Sequence, residues 1–294
     1  MVTMGESLEL KDRNRVLDVE RLVPGITAEI CSGLSQIIEL LHPMRINSEK
    51  IRIGNRGDGG YVIAPLSKES DYILNLGVGT EISADMDLIS RGYKIIAVDG
   101  TVENPLSSDF SGNYIFIQSN LGYDDSDSTI SLSELYKRLD FKVFPELALI
   151  DIEGHEYDLL VNEWPLLSSS RQVVIEFHGL ELLYDLRFQK IFLQILNSIM
   201  RTHAPIHVHG NNSGHLLNLS GGFFPTILEV TFLNRRTETL QNSHDYGPFP
   251  GPLDYPNLID KADIDLSAFF GPDCSYLKIV RMLIDESLAL RSKH

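Results

Sequence analysis

The stretch ELALIDIEGHEYDLL, Glu146 to Leu160, joins an apolar run to a cluster of ionisable side chains. Leu147 to Ile150 ends in Asp151, and Glu153, His155, Glu156 and Asp158 follow. Buried charge is costly unless paired or put to use. Glu153 and Glu156 share a face if a helix begins at Gly154. On one reading Asp151 faces a reacting centre while Glu153 and Glu156 orient a substrate or a metal. On the other, Glu153 and Glu156 are acids at a helix N-terminus, where negative charge is favoured. His178 follows Glu176 in QVVIEFHG, where it either takes a proton from a substrate hydroxyl or is a satisfied histidine at a strand corner. HVHGNN sets His207 and His209 on one strand face, with Asn211 beside them. With a carboxylate such as Asp151 the two imidazoles suit a divalent cation of the Mn²⁺, Fe²⁺ or Zn²⁺ type; alternatively they hydrogen-bond a sugar, with His209 positioning the acceptor.

These side chains need strands to deliver them. Short apolar runs at 72–78, 94–100, 114–120, 147–154 and 172–179 read as buried strands, and 205–212 and 227–234 follow. Helical patterns lie between several of them, at 82–91, 131–139 and 181–202. The alternation predicts an α/β fold: a Rossmann-like, doubly wound, mostly parallel sheet with helices on both faces. Ile30, Leu34, Ile37, Ile38 and Leu41 are spaced for a helix ahead of Pro43, and residues 1–48 are expected to form an N-terminal helical extension. Residues 49–240 would be the core, and 241–294 a Pro/Gly-rich lid and tail.

In open α/β sheets ligands bind beyond the C-terminal strand ends, and here the polar residues gather there. LNLGVGTE places Gly77 and Gly79 in a turn that lets a ligand approach the backbone, with Glu81 closing it. Asp99 ends the next strand about 20 residues on, where an acid accepts hydrogen bonds from ribose. NRGDGGYVI brings Asp58 and Tyr61 ahead of the first core strand, either to close over a ligand or as a plain hairpin turn with Gly59 and Gly60.

Together, LNLGVGTE, IIAVDG and LIDIEGHEYDLL resemble the class I S-adenosylmethionine-dependent methyltransferases of the FkbM type, over about residues 50–235, with RIGNRGDGGYVI as a further specific element. The resemblance implies that the glycine loop cradles the methionine part of the cofactor and that Asp99 binds its ribose. It places Asn120 and Leu121 against adenine. Asn75 departs from the family pattern, in which an acid often begins the glycine motif.

The 294 residues carry a formal net charge of −16, which argues against nonspecific binding to nucleic acid or an anionic membrane. No apolar run reaches the roughly 20 residues of a membrane span, and the N-terminus lacks the apolar segment of a secretory signal. Cys31 and Cys274 are the two cysteines, which fits a reducing, cytoplasmic setting. The expectation is an O-methyltransferase that uses S-adenosylmethionine, with or without a divalent metal, on a hydroxyl of a sugar, glycan precursor or related small molecule. Asp151, His178 and His209 would be catalytic; Asp58, Tyr61, Glu153, His155 and Asn211 would contact substrate; Asp151, His207 and His209 would be the metal ligands. A nicotinamide-dependent oxidoreductase shares the glycine turn and ribose acid, but GVGTE lacks the third glycine of that fingerprint. A non-catalytic binding protein of methyltransferase-like fold is the other alternative.

Overall fold

The computed structural model describes residues 16–17, 28–106, 112–122, 129–139, 144–219, 222–237 and 239–273. Seven strands form the central sheet: β1 (Tyr72–Leu76), β2 (Lys94–Val98), β3 (Tyr114–Ile117), β4 (Leu147–Ile150), β5 (Gln172–Phe177), β6 (His203–Gly210) and β7 (Leu228–Asn234). Their order is β6-β7-β5-β4-β1-β2-β3. β5, β4, β1, β2 and β3 run parallel, and β7 is antiparallel to both β5 and β6. The chain therefore builds outward from β1 in one direction and from β4 in the other. Between these two strands lies the switch point where doubly wound sheets bind ligands. β4 and β5 are buried on both faces, which is why LALI and QVVIEF read as apolar runs rather than as alternation.

One sheet face is apolar throughout. Ala148 and Ile150 of β4, Val173, Ile175 and Phe177 of β5, and Val230 and Phe232 of β7 pack there in one cluster. The helices over it are α1 (Ala28–Leu41), α3 (Leu132–Arg138), α4 (Glu156–Leu167) and α5 (Leu186–Met200). α1 contributes Ile37, Ile38 and Leu41 to that cluster, so this helix is a layer of the core. The rest of the expected extension before residue 28, apart from 16–17, lies outside the described residues. The pattern at 181–202 divides into a short 3₁₀ turn, Leu180–Tyr184, and α5. Asp185 separates them by accepting a hydrogen bond from the Arg187 amide, as an N-cap does.

The other face is divided. Over β1 and β2 it is apolar, with Ile73, Ile95, Leu147 and Leu149 packed under α2 (Ser83–Ser90) and the expected hairpin, Ile51–Ile53 with Tyr61–Ile63. Over β5, β7 and β6 it is polar: Glu176, Glu229, Thr231, His207 and His209 are all buried. The Pro/Gly-rich stretch after residue 245, which has no regular secondary structure up to Ser267, covers this half, and Ile264 lies against Gly210. No helix among the described residues is long and apolar enough to cross a membrane.

Candidate active site

The C-terminal ends of β1, β2 and β4 surround a two-lobed cleft. The larger lobe, about 450 Å³, is lined by Gly77, Asp99, Gly100, Asn120, Leu121, Asp151 and Glu153, among others. The smaller, about 290 Å³, is lined by Asp58, Tyr61, Asn75, Gly79 and Glu81 and shares Gly77, Asp99, Asp151 and Glu153 with the first. Gly77 is the hinge between them. Its φ is +83° and a Cβ there would overlap the Asp151 carbonyl oxygen, so glycine is required on two counts. Gly79 (φ +58°) faces open space.

Asp99 is locked under this turn. Its Oδ2 accepts from the Gly79 amide at 2.8 Å and its Oδ1 accepts from the Thr101 amide and hydroxyl, both at 2.7 Å. Burial would raise its pKa, but these hydrogen bonds outweigh burial and lower it, so the carboxylate is charged where a ligand's hydroxyls would meet it. The residues fit an adenosine-bearing cofactor: a glycine cradle that a side chain would fill, an ionised acid at its edge, and Asn120 and Leu121 on the lobe wall. Glu81 is exposed and ties the turn to the hairpin, accepting from Asn55 at 3.1 Å and from the Ser83 amide at 2.7 Å. Asn75 is buried and donates to Asp85 at 2.8 Å. Burial lifts the Asp85 carboxyl to about 6. The acid that the sequence lacks at position 75 is thus supplied one helix turn into α2, but buried beneath the cleft.

Asp151 and His178 meet where β4 and β5 end. His178 Nε2 lies 3.8 Å from Asp151 Oδ1, 3.5 Å from Glu153 Oε2 and 3.7 Å from Glu176 Oε1. Burial lifts the Asp151 carboxyl to about 7; His178 opposes this, and Glu153, Glu229 and Asp58 add to it. Burial, then Asp151 and Glu229, hold Glu176 well above the usual carboxylate range. Burial alone would lower His178, but the Glu156, Asp151 and Glu153 carboxylates outweigh it and raise it.

Glu156 builds this corner. It is fully buried, its Oε2 accepts from the Gly154 amide at 2.8 Å and its Oε1 from the His178 amide at 2.6 Å. Tyr157 donates to the His178 carbonyl at 2.5 Å, so the histidine backbone is held from both sides. Of the two readings of Glu153 and Glu156, neither covers both residues: Glu156 is a brace between β4 and β5, and Glu153 is solvent-exposed with φ +52°, a strained value for a side-chain-bearing residue. His155 is exposed on the wall of the larger lobe.

Glu176, Glu229 and His209 are register partners across β5, β7 and β6, so they share one face in a row that starts beside Asp151. The expected metal set of Asp151, His207 and His209 does not converge. β6 lies three strands from β4, roughly 14 Å at the usual strand spacing. His207 bonds Asp254 at 2.8 Å, and His209 uses both nitrogens, on Glu229 at 3.1 Å and Asp263 at 3.0 Å. Burial would lower His209, but Glu229 and Asp263 outweigh it and hold it well above its ordinary pKa. It is 4% exposed and has no free nitrogen for a substrate, which corrects its expected catalytic role. Asn211 is likewise buried; it donates to Glu176 at 2.7 Å rather than meeting a ligand. Asp58 is exposed at the rim, where Asn257 donates to it at 3.3 Å, and Tyr61 lines the smaller lobe.

No family model matches the chain, and no curated protein does. Solved structures do align with it at low similarity. One is a fibrillarin/Nop5p complex (12% identity, 55% of this chain and 72% of that chain, TM-score 0.34). Another is the C-terminal domain of precorrin-6Y C5,15-methyltransferase from Rhodobacter capsulatus (12%, 68% and 86%, TM-score 0.29). A third is a Streptococcus mutans protein described as a methyltransferase, in complex with SAH (12%, 68% and 95%, TM-score 0.29). The doubly wound architecture rests on this chain's own strand order, and the FkbM-type resemblance on its motifs.

Proposed function

We propose that the chain is an S-adenosylmethionine-dependent methyltransferase acting on an oxygen nucleophile, a hydroxyl of a sugar, glycan precursor or related small molecule. The observation that carries the reading is the two-lobed cleft meeting at Gly77, with Asp151 and ionised Asp99 lining both lobes and His178 behind Asp151 at 3.8 Å. The cofactor supplies a methyl group on a sulfonium, already a good leaving group. Gly77 and Gly79 admit its methionine end, Asp99 accepts from its ribose, and Asn120 and Leu121 flank adenine. The smaller lobe takes the acceptor between Asp58, Tyr61 and Asp151. Bound there, the cofactor would supply its methyl group to the acceptor oxygen, its sulfur keeping the bonding pair, and the Asp151–His178 pair would take the hydroxyl proton. Alignment of the two lobes supplies much of the rate, and the proton acceptor the rest.

Calorimetry with S-adenosylmethionine, S-adenosylhomocysteine and NAD tests the reading. Both adenosyl compounds should bind one per chain, and Asp99→Asn should weaken both, because an amide cannot accept at both oxygens. Binding of NAD in their place would replace the reading with an oxidoreductase. Binding of none of the three would remove the cofactor site.

A further inference from the structure

His178 Nε2 points at carboxylates without hydrogen-bonding any of them. Glu153 Oε2, Glu176 Oε1 and Asp151 Oδ1 stand 3.5–3.8 Å away, too far for good hydrogen bonds. Asp151 Oδ1 is a buried oxygen with no hydrogen-bond partner at all. These spacings match atoms sharing a small cation: two bonds of about 2.1 Å at a tetrahedral angle set their donor atoms about 3.4 Å apart. One donor atom each from Asp151, Glu153 and His178 lies within 4.8 Å of the others, and theirs is the one such convergence among the described residues. The other ring nitrogen, Nδ1, faces Glu156 Oε1 at 3.4 Å. Nδ1 makes no hydrogen bond at that distance, but a carboxylate on this side is the usual neighbour of a histidine that gives Nε2 to an ion.

We propose that Asp151, Glu153 and His178 bind one divalent first-row cation, of the Mn²⁺ type, at the wall shared by the two lobes. One imidazole with two carboxylates favours such an ion over Ca²⁺, which prefers an all-oxygen shell of six to eight ligands. Asp151 and Glu153 line both lobes, so the open coordination positions face the cleft. A cation there would hold an acceptor hydroxyl and lower its pKa; that role rests on the methyl-transfer reading, whereas the binding does not.

The test is titration of the full chain with Mn²⁺ and no adenosyl compound, read by loss of the free-ion electron paramagnetic resonance signal. One Mn²⁺ per chain should be taken up, and Asp151→Asn and His178→Gln should each weaken binding roughly tenfold or more. His207→Gln should bind as the parent does. If a variant fails to fold, paramagnetic broadening in the parent chain decides: sub-stoichiometric Mn²⁺ should broaden the His178 imidazole resonances before those of any other histidine. Absence of stoichiometric uptake, equal binding by the folded Asp151 and His178 variants, or earlier broadening of His207 or His209 would overturn the site. Because the cofactor is absent from the titration, failure here leaves the methyltransferase reading untouched, and the reverse also holds.

Discussion

At the scale of single residues, Asp151 is where burial and charge meet. Its carboxyl is lifted to about 7, and it is 3.8 Å from the His178 imidazole, whose backbone is held on both sides. A proton acceptor with this pKa works when ionised, so turnover of the metal-free chain should rise with pH through about 7, an apparent value that belongs to the Asp151–His178 pair. Asp151→Asn should lower turnover roughly 10²–10⁴-fold and abolish that rise, with S-adenosylhomocysteine affinity little changed. The stability consequence has the opposite sign. A carboxyl whose folded pKa is raised costs stability as pH climbs from about 4 to about 7. Asp151→Asn should therefore melt no lower than the parent at pH 8. Near-normal turnover with a clearly lowered melting temperature would instead make Asp151 a loop anchor. His178→Gln is the companion variant, and whichever of the two keeps normal turnover is not the base.

At the scale of elements, the cleft depends on how closely the ends of β1 and β4 approach. Ile150 pairs with Leu76, and the next step brings the Asp151 carbonyl against Gly77. Gly77→Ala would combine a side chain at φ +83° with overlap against main chain, a cost of about 3 kcal/mol from strain and overpacking together. The melting temperature should fall by roughly 5–10 °C and adenosyl binding should be lost; a variant of unchanged stability and affinity would show that the two strand ends separate freely. The strand ends are legible in the sequence, because apolar runs stop at Asp99 and Asp151, but Gly77 is expected there to admit a ligand, and its contact with the Asp151 carbonyl is a finding of the structure. Other parts are not legible. Glu156 braces the His178 amide across 22 positions of sequence, a distance that local spacing does not encode. The HxH pair was read correctly as sharing a strand face. Its distance from Asp151 was set by β7 inserting between β5 and β6, and nothing in HVHGNN reports strand order.

At the scale of the whole molecule, one sheet face is sealed by helices while half of the other is sealed by the irregular segment after residue 245. That segment buries Phe249, Leu266 and part of Ile264, and it also docks through polar bonds: Asp254 to His207, Asp263 to His209, Asn257 to Glu229, and the Asn212 side chain to backbone at 258 and 262. Asn257 and Asp58 meet at the mouth of the smaller lobe, so the docked segment also shapes the proposed acceptor site. Asp254 shows how much such a bond contributes. Burial would raise its pKa, but His207, then His209 and the Gly251 amide, outweigh burial and hold it at about 2. A carboxyl lowered in the fold stabilises above its unfolded value of about 3.8 and loses that contribution as pH falls toward 2. The shift corresponds to about 2 kcal/mol for a side chain this buried. Asp254→Asn should lower unfolding stability by that amount at pH 7, with the gap to the parent closing as pH approaches 2, as urea denaturation at stepped pH would show. Limited proteolysis of the variant at pH 7 should cut first between residues 246 and 265 and leave the seven-stranded sheet intact. A gap that persists unchanged at pH 2, or first cuts within the sheet, would mean that the segment is held by packing and that its polar bonds are incidental.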